Sequence, residues 1–204
     1  MPLVYQQNIN AATQMGVWHI SEAEDFFSIV PVQNEITHPH KRLQHLAGRF
    51  LLKALHPDFP LELIKIADTR KPFLEDEAYH FSISHCKDYA AVIISKNQRC
   101  GVDIELVNDK IDRIIPKFLT AEECFLMPED ATKKNATLFW CAKESIYKWQ
   151  GSGGTDFKKH IRIESYTGNL DKGIVHCLFK NKIALQVHYL FLNDNFLTWV
   201  LSDH

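Results

Sequence analysis

Apolar residues recur along the chain with two periods, and the changes between them mark out the elements. Short alternating runs at Leu3–Gln7 and Met15–Ile20 predict two strands. Ser21-x-x-Glu24 has the form of a capping box, which predicts a helix through the acidic, aromatic stretch to Ile29, ended by Pro31. From Pro39 to Leu55 the period becomes helical. Leu43, Leu46, Ala47, Phe50, Leu51 and Ala54 form one apolar face, with Lys41, Arg42, Arg49 and Lys53 off it. Leu61–Ala67 alternates as a half-buried strand does. Tyr79–Ser84, Tyr89–Ser95 and Arg99–Leu106 predict three more strands, the last two joined as a hairpin through Lys96-Asn97-Gln98.

Beyond residue 106 the pattern turns helical again. Thr120-x-x-Glu123 is a second capping box, and Pro128 interrupts the helical pattern after it. A helix from Ala131 to Gln150 is stopped by Gly151-Ser152-Gly153-Gly154. Strands are predicted at Ile161–Tyr166, at Ile174–Gln186 with a turn near Asn181, and at Phe196–Leu201. This order of elements reads as an α+β fold with mostly antiparallel strands and packed helices. Composition alone separates no domains, since no Pro/Gly/Ser-rich linker divides the chain.

Composition narrows the setting. With 204 residues and 46% hydrophobic content the chain can bury a substantial core. Lys plus Arg number 23 against 25 Asp plus Glu, a net charge of −2, which argues against a nucleic-acid coat protein but leaves room for a local phosphate pocket. Cys86, Cys100, Cys124, Cys141 and Cys177 are odd in number and form no C-x-x-C pair, which suits a reducing compartment. The N-terminal MPLVYQQNIN has neither a basic n-region nor a long apolar core, and no run approaches the roughly 18 apolar residues of a membrane span. The expectation is a cytoplasmic protein without membrane or nucleic-acid partners.

Candidate chemistry gathers at three places. In Arg99–Leu106, alternation puts Cys100, Val102, Ile104 and Leu106 on a core face and Gly101, Asp103 and Glu105 on the other. Two carboxylates two residues apart can share a cation, the glycine beside them leaves room for a ligand, and magnesium takes one or two carboxylates plus phosphate oxygens. A plain solvent-facing strand surface explains the same alternation. On the later helix, Leu138, Ala142, Ile146 and Trp149 form the buried stripe and Trp140, Glu144, Tyr147 and Lys148 a neighbouring face. Glu144 and Lys148 are either an i,i+4 surface salt bridge worth roughly 0.3–0.5 kcal/mol, or a third carboxylate with a cation one turn away. Phe81-Ser82-Ile83-Ser84-His85 and the cationic turn Thr69-Arg70-Lys71-Pro72 offer donors to an anion. A serine-hydrolase reading fails, because no G-x-S-x-G elbow surrounds either serine and adjacent strand residues point apart. His38, His40 and His45 lack partners for a zinc set and suit capping or surface roles. Gly151-Ser152-Gly153-Gly154 comes after a helix instead of opening one, so it is no P-loop.

Taken together, Gly101-Val102-Asp103-Ile104-Glu105 and Trp140 through Lys148 resemble the paired signatures of the 4′-phosphopantetheinyl transferase superfamily, G-[IV]-D-x-E and W-x-x-K-E-[SA]-x-x-K. Similarity runs from about Lys41 to Gly154 and includes the Arg70-Lys71-Pro72 turn and the segment ending at His85. The resemblance implies transfer of the phosphopantetheine arm of coenzyme A to a serine of an apo acyl or peptidyl carrier protein, with Mg²⁺ and release of adenosine 3′,5′-bisphosphate. It implies Asp103, Glu105 and Glu144 as metal ligands, with Lys148 stabilising the pyrophosphate. Arg70, Lys71, Pro72, Ser84 and His85 would lie on the nucleotide, and Arg42 or Arg49 on its 3′-phosphate. Glu123 matches an acidic family position and is either a catalyst or only a cap. Two departures stand out: Lys87 where many members have glycine, and Cys86 for serine or glutamine. The length resembles the surfactin-type branch, which implies a monomer of two similar α/β halves, 1–98 and 99–204, with the active site between them.

Overall fold

The chain builds two hydrophobic cores, each under its own antiparallel sheet. The structure, a computed structural model, describes residues 2–31, 36–128 and 132–202. It divides into two compact units, one running to Cys100 and the other from Gly101 to Ser202.

In the first unit, β1 (Leu3–Asn10), β2 (Thr13–His19), β5 (His80–Cys86) and β6 (Tyr89–Ser95) form a sheet in the order β1-β2-β6-β5. Its pairings are antiparallel, with Trp18 opposite Ala90 and Ser84 opposite Ala91. Helix α1 (Pro39–Leu55) packs on β2, β5 and β6. A Cβ at Gly48 would stand 2.6 Å from Ile83 Cγ2, so this mid-helix glycine is what lets α1 lie close on β5. The helix opens on His38, whose Nδ1 accepts from the Lys41 amide, with Pro39 in the first turn. Two short strands, β3 (Lys65–Ile66) and β4 (Pro72–Phe73), pair through the turn at Arg70.

The second unit contains β7 (Arg99–Leu106, entering from the first unit), β8 (Ile161–Gly168), β9 (Lys172–Phe179), β10 (Ile183–Leu192) and β11 (Asn195–Ser202), ordered β7-β11-β10-β9-β8. Short helices α2 (Ile115–Phe118), α3 (Ala121–Cys124) and α5 (Phe157–His160) surround α4 (Thr132–Gln150), which lies on β11, β10 and β8. The α+β class with antiparallel strands is thus as expected. Both tight hairpins use two consecutive residues of positive φ, Lys180-Asn181 (49° and 56°) before β10 and Asn193-Asp194 (48° and 61°) before β11. Such turns match the twist of paired strands.

Several expectations are corrected. Tyr89–Ser95 and Arg99–Leu106 are strands, but not a hairpin: β6 pairs with β2 and β5, whereas β7 pairs with β11. The capping box at Ser21 does not form. The segment makes only a 3₁₀ turn at Glu24–Phe27, entered from Ala23 without a side-chain cap, while Ser21 bonds Glu22. Leu61–Ala67 is a 3₁₀ turn at Leu61–Leu63 followed by β3, because Leu61 and Ile64 are buried at a spacing of three while Leu63 and Ile66 are exposed. The buried face of α1 takes in Leu52, Leu55 and Arg49 and leaves Ala54 exposed. The expected helix start at Ala131 lies outside the described residues. No helix among those described is long and apolar enough to cross a membrane.

Candidate active site

Strand β7 and helix α4 bring four of the expected residues together inside the second unit. The contact starts at Gly101, where a Cβ would lie 2.0 Å from the Ser145 carbonyl oxygen and 2.7 Å from the Trp149 nitrogen. The sequence suggests room for a ligand at this glycine; the structure fills that room with the backbone of α4. The face it shares with Asp103 and Glu105 is therefore turned to the helix. Asp103 is only 3% exposed, which removes the solvent-facing alternative for that residue.

Four side chains then interlock. Lys148 Nζ donates to Asp103 Oδ1 at 2.6 Å, and Trp140 Nε1 donates to Glu105 Oε1 at 3.1 Å. The Glu144 side chain forms no ion pair with any described residue, so of the two alternatives the i,i+4 bridge to Lys148 is not formed. Burial, together with the charges of Asp103 and Glu105 and against the pull of Lys148, pushes the Glu144 carboxyl up to about 7. Burial works against the Lys148 ammonium, but the charge and hydrogen bond of Asp103 and the charge of Glu144 outweigh it and raise its pKa. Among the described residues no three carboxylate, imidazole or thiolate groups are gathered closely enough to ligate one ion.

Glu123 stands apart from this cluster. Its capping box with Thr120 is complete: the Thr120 amide donates to Oε2 at 2.8 Å and the Glu123 amide to Thr120 Oγ1. Oε1 accepts from the Ile163 amide at 2.8 Å and forms an ion pair with Lys143 at 2.7 Å. Lys143 also donates to the carbonyls of Phe118 and Phe157, at 2.8 and 3.0 Å. Both side chains are buried. Sequence reasoning assigned nothing to Lys143 or to the Trp140 indole. Lys143 sits mid-helix beside the apolar stripe, and nothing local to it announces a carboxylate twenty residues upstream.

In the first unit, Arg49 is buried, and its Nη1 donates to His45 Nδ1 at 3.0 Å. Arginine only donates, so Nδ1 accepts and the ring proton is on Nε2. That Nε2 is buried with no hydrogen-bond partner among the described residues. Burial and the nearby charges of Arg49 and His85 lower the His45 pKa to about 4, and burial lowers that of Arg49 to about 10. The sequence reading put Arg49 off the apolar face of α1 and gave His45 a capping or surface role, whereas the structure buries Arg49 and pairs it with His45. Arg42 is instead engaged by Glu24 at 2.6 Å. Ser84 is buried and His85 exposed, on opposite faces of β5 as strand geometry requires. Arg70 occupies its turn at φ 67°, beside Lys71 and Pro72. Burial, against the influence of Cys100 and aided by the charge of Arg99, lowers the Lys71 pKa. Lys87, the departure from the family's glycine, sits at φ 48° in the β5–β6 turn.

Residues 99–198, which include β7 and α4, match the sequence model of the 4′-phosphopantetheinyl transferase superfamily. Over that segment, just under half of the chain, the sequence is similar to this superfamily. It is 33% identical over 113 residues to enterobactin synthase component D of Salmonella typhi, covering 53% of this chain and 47% of that protein. The same component of Salmonella typhimurium strain LT2 is 32% identical over 116 residues, with the same coverage. A Haemophilus influenzae protein bearing the name of a 4′-phosphopantetheinyl transferase is 31% identical over 127 residues, 57% of this chain and 52% of that one. The chain spans about half the length of the curated relatives it matches. The acid–lysine cluster of β7 and α4 lies inside the matched segment.

Proposed function

We propose that this protein transfers the 4′-phosphopantetheine arm of coenzyme A to a serine of an apo carrier protein. The observation that carries the reading is the cluster of Asp103, Glu105, Glu144 and Lys148, inside the segment that matches the superfamily. The reaction moves a phosphoryl group between oxygens, and its substrate is a charged pyrophosphate that repels an oxygen nucleophile. The serine oxygen bonds to the pantetheine-side phosphorus, the bridging oxygen departs with adenosine 3′,5′-bisphosphate, and the serine proton goes to a base.

Glu144 would act through the cation it helps to hold, since a carboxylate bound to a divalent ion stays ionised and is a poor proton acceptor. Lys148 offsets charge on the departing phosphate. Glu123, with both oxygens engaged by Lys143 and backbone amides, anchors α3 and β8 to α4 in this reading and takes no part in proton transfer. The acid set suits a hard divalent cation: three oxygen-donor groups repel one another, and the Glu144 side chain among them forms no ion pair with any described residue. Asp103, Glu105 and Glu144 would hold Mg²⁺, which supplies charge neutralisation at the pyrophosphate. For the nucleotide the candidates are Lys71, Ser84 and His85, with the Arg70-Lys71-Pro72 turn. Arg49 is preferred to Arg42 for the 3′-phosphate. Its guanidinium and the His45 Nε2–H are buried donors without an anion among the described residues, whereas Arg42 already has one.

The deciding experiment incubates the protein with coenzyme A, Mg²⁺ and an apo carrier, and reads intact mass. A phosphopantetheine adduct on the carrier is expected. Free phosphopantetheine without an adduct would mean a hydrolase, and coenzyme A binding without either product would end the transferase reading.

A further inference from the structure

Asp103 and Lys148 form the closest charged contact of the cluster, and the two differ in exposure. The Asp103 side chain is 4% exposed and fixed to β7, whereas Lys148 is 25% exposed on a flexible four-carbon stem. A buried carboxylate requires a cation beside it, because an uncompensated buried charge is strongly destabilising. A divalent ion and an ammonium cannot both sit against the same buried oxygen set without direct repulsion. The ammonium is already there, and among the described residues no three ligating groups are gathered around one point while it is. Trp140 meanwhile holds Glu105 through its indole N–H.

We infer that Lys148 is the resident counter-cation of the free enzyme, seated on Asp103 in competition with a divalent ion and displaced toward the substrate's phosphates when that ion enters. This rests on reading Asp103, Glu105 and Glu144 as a cation site. Lys148 is then an exchange partner: it keeps the metal-free site folded and delays loading until the substrate offers the ammonium a new anion. Binding of the ion and of the pyrophosphate becomes cooperative, since each creates the place the other needs.

The test is Mn²⁺ binding to the full chain without coenzyme A, followed by electron paramagnetic resonance and by the shift in melting temperature. Lys148→Met keeps the stem and removes the charge. It is expected to bind Mn²⁺ roughly tenfold more tightly than wild type, to melt lower without metal, and to gain more from added Mn²⁺. Lys148→Arg, whose planar fork grips a carboxylate more firmly, is expected to bind Mn²⁺ several-fold more weakly. Equal or weaker binding by Lys148→Met overturns the inference. Should that variant fail to fold without metal, Lys148→Arg decides, and unchanged affinity there overturns it. Absence of Mn²⁺ binding in wild type, Lys148→Met and wild type with coenzyme A would sink the cation site itself. Loss of binding in Asp103→Asn ties the signal to this cluster.

Discussion

Burial changes the chemistry of Arg49 and His45 in the first unit. Arg49→Met is expected to raise KM for coenzyme A on the order of tenfold or more while leaving that for 3′-dephospho-coenzyme A nearly unchanged, because only the former has the phosphate. Equal losses on the two substrates would move the 3′-phosphate elsewhere. His45 gives a pH signature. Its folded pKa, about 4, lies below the ordinary 6.5, so its contribution to stability is complete above pH 6.5 and is lost as pH falls through 4. His45→Asn should therefore flatten the acid side of the stability curve by on the order of 1–3 kcal/mol between those limits, measured by urea unfolding at stepped pH. Lys87 is a third such position. At φ 48° it stands where glycine is favoured, and its carbonyl accepts from Gln44 and His40 whatever its side chain. Lys87→Gly is expected to stabilise by about 1 kcal/mol, and a loss of stability would show that the lysine side chain itself contributes. The motif departure at this residue is thus a backbone matter.

At the scale of elements, the seam between β7 and α4 depends on Gly101, and the seam among α3, α4 and β8 on the Glu123–Lys143 pair. Gly101→Ala would drive a methyl group into the Ser145 carbonyl, a collision with backbone that no rotamer change relieves. A loss of about 3 kcal/mol or more is expected, read from the denaturant midpoint, with activity falling as α4 is pushed off Asp103. Breaking one partner of a buried ion pair leaves the other uncompensated, so Glu123→Gln should cost about 3–5 kcal/mol. If it anchors and does not catalyse, kcat of the protein that remains folded should drop by less than roughly tenfold; a loss of a thousandfold in folded protein would restore it as the base. The helical stripe of Leu138, Ala142, Ile146 and Trp149 was legible because burial repeats with the helix period. Lys143 was not, since its partners Glu123, Phe118 and Phe157 come from three other places in the chain.

Across the whole molecule, the proposed reaction requires a divalent ion as well as coenzyme A. Chelation should abolish carrier modification and Mg²⁺ should restore it; full activity in excess chelator would remove the ion from the mechanism. The matched superfamily segment lies in the second unit apart from its first two residues, so the acid–lysine cluster can be argued from that unit alone.

What the amino-acid sequence determined by itself is local and periodic. The bounds of α1, β6 and β7, the capping box at Thr120 and the two motifs that mark the superfamily depend on neighbours within a few residues. Tertiary structure decided which partners met. It separated β6 from β7 into different sheets, because strand pairing is settled by distant edges and not by the turn between two strands. It also reversed the meaning of Gly101. Alternation correctly put the glycine with Asp103 and Glu105, but only the packing of α4 showed that this shared face meets a helix backbone and a lysine ammonium. A period of two says which residues share a face; what covers that face depends on chain that lies far off in sequence.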